Sequence, residues 1–156
     1  MFIFKKVSDL QLYIKNRKKE GKTVGFTPTM GALHEGHMSL IGFSKEHSDI
    51  NICSIFVNPT QFNDKDDLKK YPRPIEKDIE LLYANGCDAL FLPEVEEVYP
   101  DNPQSVNLDL GQLDKVMEGA FRPGHFEGVV QVVKRLLDIV LPDKLFMGQK
   151  LSLIHI

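Results

Sequence analysis

The sequence predicts an α/β domain built on a parallel sheet with helices on both faces. Three observations predict it. Short β-rich runs alternate with helical stretches along the chain, as crossover connections between parallel strands require. One run, Asn51 to Val57 (NICSIFV), is apolar almost throughout, which suits a strand covered on both faces. The stretch from His125 to Leu141 places Phe126, Val129, Val130, Val133, Leu136, Leu137 and Val140 at helical spacing, and is the clearest helix in the chain. With 156 residues, 42% hydrophobic and 26% charged, the chain is large enough for one such core and too apolar for overall disorder.

The elements are expected in the following order. Phe2 to Phe4 reads as a short strand. Ser8-Asp-Leu-Gln11 resembles a capping box that opens a helix with Leu10, Tyr13, Ile14 and Arg17 on one face, and Gly21 is placed to stop it. Thr23 to Thr27 is a β-rich run expected to end at Pro28. A helix follows from Gly36 to His47, then the Asn51 to Val57 strand and a polar loop from Asn58 to Tyr71. Pro74 to Asn85 reads as a helix closed by Gly86, Asp88 to Leu92 as a strand, and Glu94 to Pro100 as a helical turn and bend. Val106 to Leu110 and Asp143 to Met147 are expected to be the last strands, on either side of the long helix.

Composition excludes several roles. The formal charge of −3 arises from 19 basic and 22 acidic residues mixed along the chain, which does not supply the basic field of a general nucleic-acid surface. The apolar run at the N-terminus is too short for a signal-peptide core. Lys134, Arg135 and Asp138 interrupt the long helix, so a membrane span is not expected. Cys53 and Cys87 lie in apolar, strand-like surroundings without a CxxC pair, and are expected to be free buried thiols in a reducing cytosol.

The chemistry is concentrated in Thr27-Pro-Thr-Met-Gly-Ala-Leu-His-Glu-Gly-His37. This segment leaves a strand end, turns on small residues and enters a helix near Gly36. Ligands of open α/β sheets bind outside the carboxyl ends of the strands, and a helix start offers N–H groups and a positive dipole end to an anion. Gly31, Ala32 and Gly36 allow a polyanion close to the backbone, and His34 and His37 are placed to donate to phosphate oxygens. Neither GxGxxG nor GxxxxGK[ST] is present. HEGH is not HExxH either, because its histidines are three apart instead of four.

HxGH after a strand is similar to the ATP-binding signature of the HxGH nucleotidyltransferase superfamily, whose fold is Rossmann-like. Within it, Pro28 to His37 (PTMGALHEGH) resembles the pantothenate synthetase (pantoate–β-alanine ligase) family in particular. Ser54 to Phe62 resembles that family's SIFVNPxQF, Tyr71-Pro-Arg73 its YPR, Glu118 to Phe126 its EGxxRPGHF, and Met147-Gly-Gln-Lys150 its FGEK.

The resemblance implies ATP-dependent joining of pantoate to β-alanine through a pantoyl adenylate, with Mg²⁺, in a cytoplasmic homodimer. Met30, Gly31, Ala32, Leu33, His34, Glu35, Gly36 and His37 would hold ATP together with Gly148 and Lys150. His34, His37 and Lys150 would be catalytic, His37 as the usual proton donor and Lys150 against the phosphates. Gln61 would bind pantoate beside the β-alanine site, with Pro28 and Thr29. Asn58 either orients the same substrate or caps the turn before Pro59. His125 either reaches the pocket or caps the long helix. Asp78 matches a magnesium-associated position, and equally reads as a solvated helix carboxylate.

The match breaks after Lys150. Met147 and Gln149 replace Phe and Glu, and residues 151–156 (LSLIHI) depart from the family pattern. On this reading, residues 1–150 form the nucleotide- and pantoate-binding domain and the closing domain of the family is missing, so turnover is expected to be slow or absent. A different adenylyltransferase and a non-catalytic nucleotide-binding fragment are the alternatives.

Overall fold

The computed structural model of the protein describes residues 1–59, 65–100 and 125–148. In chain order the elements are β1 (Phe2–Phe4), α1 (Val7–Lys19), β2 (Val24–Thr29), α2 (Glu35–His47) and β3 (Ile50–Ile55). They continue with α3 (Lys65–Lys70), α4 (Ile75–Ala84), β4 (Ala89–Phe91), α5 (Val95–Val98), α6 (His125–Val140) and β5 (Lys144–Leu145). The strands form one five-stranded sheet in the order β1-β4-β3-β2-β5, and every pairing in it is parallel. The expected α/β architecture is therefore the observed one.

Strand alternation divides the core between the two faces. On one face Val24, Phe26, Ile50, Ile52, Ala89 and Phe91 pack with Leu10 and Ile14 of α1 and with the valine stripe of α6. On the other, Cys53, Ile55 and Leu90 pack with Leu33, Ile41 of α2 and Leu82 of α4. The central strands β2, β3 and β4 thus bury both sets of side chains, which is why β3 reads as a continuous apolar run. Cys53 and Cys87 are free and buried. Burial pushes the Cys87 thiol up to about 11 and the Cys53 thiol well above its ordinary range, so both are protonated and poorly nucleophilic at neutral pH.

Three local expectations differ from the structure. Helix α1 begins at Val7 with no side-chain cap from its N-cap residue, Lys6; Ser8 lies inside the first turn. The Glu97 carboxylate instead accepts the Val7 N–H at 2.7 Å, and a charged acceptor outcompetes a serine hydroxyl. Strand β2 runs through Pro28 to Thr29, with Pro28 opposite Ser54. Val24 and Phe26 point their carbonyls at β5, where they accept from Asp143 and Phe146. By the same alternation, the N–H that Pro28 lacks would face that side, beyond Leu145, the last paired residue of β5, so the ladder loses nothing there. The polar stretch after Asn58 contains the short helix α3. The strand expected at 106–110 lies outside the described residues.

The direction of the connections reverses at β2. Beyond α2 and α4 the chain moves from β2 to β3 and β4, and after α6 it returns to the opposite side of β2 as β5. The crevice outside the carboxyl ends of β2 and β5 is the topological switch point, where open α/β sheets bind ligands.

Candidate active site

A cleft of about 710 Å³ opens at that switch point, lined from β2 onward by Pro28, Thr29, Met30, Gly31 and Ala32. His34, Gly36 and His37 line it from the start of α2, Gly148 from beyond β5, and Tyr71 from the loop after α3. Its remaining wall is apolar: Leu40, Phe56 and the Val129, Val132, Val133 and Leu136 stripe of α6.

The two histidines cap their own helix. His34 is the N-cap of α2, and its Nδ1 accepts the Gly36 N–H at 3.1 Å. His37 returns the bond, its Nδ1 accepting the His34 N–H at 3.1 Å. The rings lie 4.0 Å apart between centroids. An accepting Nδ1 carries no proton, so the neutral ring bears its hydrogen on Nε2, at the far edge. Each imidazole is therefore a fixed N–H donor. Gly36 is needed for this pairing, because a Cβ there would stand 2.9 Å from His34 Cε1, inside contact distance.

Burial lowers the His37 pKa below the ordinary imidazole value of 6.5; the neighbouring His34 ring lowers it further, and Asp78 opposes both. A lowered folded-state value means the unfolded chain binds the proton more readily. The stability contributed by neutral His37 is thus complete above about pH 6.5 and is lost as the pH falls through the folded value. An NMR titration is expected to give His37 a midpoint below 6.5, with the His34–His37 backbone bond breaking over the same range. A midpoint above that value would contradict the capping geometry.

The backbone of the turn is occupied. The Gly31 N–H donates to Thr29 Oγ1 at 3.1 Å, and those of Ala32 and Leu33 donate to Asp78 Oδ2 and Oδ1, each at 2.9 Å. With His34 N–H on His37, the amides from Gly31 to His34 all have internal acceptors. The free backbone donors expected from the sequence are therefore not prepared at these four residues, and the donors left at the cleft are on the His34 and His37 rings that line it.

The other candidate residues fall in different places. Leu33 is a core residue beside Ile41 and Ile55, and Glu35 is exposed in the first turn of α2. Asn58 is fully buried; its Nδ2 donates to the Gly128 carbonyl at 2.9 Å, and its Oδ1 accepts from the Tyr99 hydroxyl at 3.3 Å. It ties the end of β3 to α6, beneath the cleft wall. Asn58→Ala is expected to cost about 1–3 kcal/mol of stability, the usual penalty for disrupting a buried hydrogen bond, measured by urea unfolding. An unchanged midpoint would remove this role.

Asp78 is only 1% exposed, so it is not a solvated helix carboxylate. Both its oxygens accept amides, and among the described residues no group of three or more His, Cys, Asp or Glu is placed to hold a metal ion. This arrangement does not fit a resident magnesium at Asp78. His125 is the first residue of α6, while Gln61 and Lys150 lie outside the described residues. Tyr71 and the α6 valines are cleft residues to which sequence reasoning gave no role. Tyr71 stands in a motif-bearing segment, and burial raises its phenol pKa, with Asp78 adding to the effect.

A parallel sheet with an HxGH strand-to-helix turn at its switch point defines a Rossmann-like domain of the nucleotidyltransferase type. The sequence pattern of Pantoate-beta-alanine ligase matches residues 2–152, and the chain belongs to that family. It is 48% identical over 148 residues to the pantothenate synthetase of Aquifex aeolicus, covering 95% of this chain and 52% of the relative. Identity to the Porphyromonas gingivalis pantothenate synthetase is 52% over 150 residues, 96% of this chain and 53% of that one.

The crystal structure of Pantoate-beta-alanine ligase from Francisella tularensis, complexed with beta-gamma ATP and beta-alanine, superposes with a TM-score of 0.86 at 42% identity, covering 93% of this chain and 55% of that one. The Thermus thermophilus pantothenate synthetase gives 0.84 at 40% identity, with 93% and 51% covered. The chain spans about half the length of the curated relatives it matches.

Proposed function

We propose that the cleft binds ATP and pantoate and that the chain carries the adenylating half of a pantoate–β-alanine ligase. The observation that supports this reading is the paired histidine cap, in which both Nδ1 atoms accept backbone amides while both rings line the switch-point cleft. In the reaction implied by the family, a pantoate carboxylate oxygen attacks the α-phosphorus of ATP and pyrophosphate departs. The β-alanine amine then attacks the acyl carbon, and AMP leaves. Negative charge grows on the departing pyrophosphate, so donors held in place before the reaction stabilise the transition state more than the ground state. The valine stripe of α6 with Phe56 suits the dimethyl group of pantoate, and Pro28 and Thr29 bring the end of β2 to the same wall.

Gln61 and Lys150 are proposed to complete the set, Gln61 by hydrogen bonds to pantoate and Lys150 against the phosphates; His125 is proposed to line the pocket. Magnesium enters this reading as the companion of the triphosphate substrate. A homodimer in the cytoplasm belongs to the same proposal; among the described residues no helix is long and apolar enough to cross a membrane. The test is calorimetry with ATP and pantoate, run beside a pyrophosphate-release assay over a panel of acids. Saturable ATP binding with release dependent on pantoate supports the ligase. Release with another acceptor favours a different adenylyltransferase, and binding without release favours a nucleotide-binding domain that does not turn over alone.

A further inference from the structure

We propose that Asp78 is a positioning residue of the nucleotide site: it holds the Gly31–Leu33 turn from behind, so that His34 and His37 face the cleft. The assignment rests on the nucleotide reading of that cleft. Asp78 sits in the first turn of α4 and reaches across to β2's outgoing turn, 46 residues earlier at Ala32. Its two oxygens take two successive amides, those of Ala32 and Leu33. Successive N–H groups converge on one anion when the backbone is left-handed between them, and here Gly31 has φ +85° and Ala32 φ +51°. That conformation is natural for glycine and disfavoured for alanine. A charged acceptor with two short bonds supplies what holds it.

The side from which Asp78 acts is equally specific. It lines a second, smaller cavity of about 290 Å³ with Lys5, Arg73 and Leu92, and has no place in the wall of the histidine cleft. Met30 and Gly31 line both, so the turn is a thin partition between the two spaces. Asp78 pulls two amides toward the smaller cavity, while the imidazoles two and five residues beyond Ala32 open into the larger one. Its buried charge is satisfied only while the turn keeps this shape, so carboxylate and turn hold each other. Gly31 takes a φ that side chains rarely adopt, and a Cβ there would also crowd Ile55 Cγ2 at 3.0 Å and Asp78 Oδ2 at 3.2 Å.

The test is Asp78→Asn in ¹⁵N-labelled chain. Asparagine keeps the shape but replaces one accepting oxygen with an amide that cannot accept. Protection of the Phe26 and Ile52 amides shows that β2 and β3 remain folded. In that folded variant the Ala32 and Leu33 amides are expected to exchange roughly 100-fold faster. The His34 and His37 Nδ1 resonances should move off their acceptor positions, and ATP affinity should fall roughly tenfold or more. Ala32→Gly removes the cost of the left-handed turn, so adding it to Asp78→Asn should restore part of the imidazole signature.

The imidazole resonances decide the assignment. If they match those of the unaltered chain in folded Asp78→Asn, the proposal is overturned, even where stability has dropped. Should Asp78→Asn not fold, Asp78→Glu, which keeps the charge one methylene further out, is read in the same way. Failure of the unaltered chain to bind ATP would refute the nucleotide reading instead, while the imidazole signals still judge Asp78.

Discussion

Replacing His37 with alanine is expected to slow pantoate-dependent pyrophosphate release by about 10²–10³-fold, the usual loss when one preorganised donor to developing charge is removed. The expectation follows from the division of labour within the ring. Nδ1 is committed to the His34 amide, so Nε2 is the atom left to meet a phosphate oxygen. Alanine removes both functions, and part of its effect would come from a weakened start to α2. Asparagine separates them: its Oδ1 can accept the His34 N–H in place of Nδ1, but nothing reaches the Nε2 position. His37→Asn is therefore expected to recover stability relative to alanine without recovering turnover. Recovery of both would show that the ring serves only as a cap. Rates are compared with the unaltered chain under the same conditions.

Phe26→Ala is expected to lower stability by about 3–5 kcal/mol, combining lost burial with an unfilled cavity. Phe26 is fully buried and stands in β2 opposite Ile52 of β3 and Leu145 of β5. It packs beneath α1 and α6 in the larger core cluster, where the surrounding side chains are themselves held by strands and helices. A domain of this size has roughly 5–15 kcal/mol in all, so one side chain accounts for a large share of the margin. The effect also reaches the site, because β2 delivers Pro28, Thr29 and Met30 to the cleft. Urea unfolding should show a lower midpoint at an unchanged slope. A loss below about 1 kcal/mol would mean the core is not organised around this strand.

The fold was legible because its signals are periodic and local. The apolar run of β3 and the valine stripe of α6 need no knowledge of distant residues, and both ends of α6 fall within one residue of expectation. What local pattern could not give were interactions set by tertiary approach. Glu97 displaces Ser8 as the cap of α1 because folding brings a carboxylate from 90 residues away. Pro28 reads as a strand end because its missing N–H matters only if a neighbour needs it, and that depends on where β5 stops. Asp78 shows the same limit at the site. On the sequence its helix position gives a solvated carboxylate as readily as a ligand, and only the packing of α4 against the turn reveals an acceptor for two amides.

His34 and His37 were legible as a pair from their spacing and their place between strand and helix. Their tautomers were not, because these depend on which backbone amides each ring meets.

The most direct test adds ATP, with and without pantoate, to chain carrying ¹⁵N in its imidazoles. If the paired cap presents two donors to a triphosphate, the Nε2 resonances of His34 and His37 will shift and saturate with the calorimetric affinity, while both Nδ1 atoms remain acceptors. Saturable ATP binding that leaves both Nε2 resonances unmoved would contradict that picture.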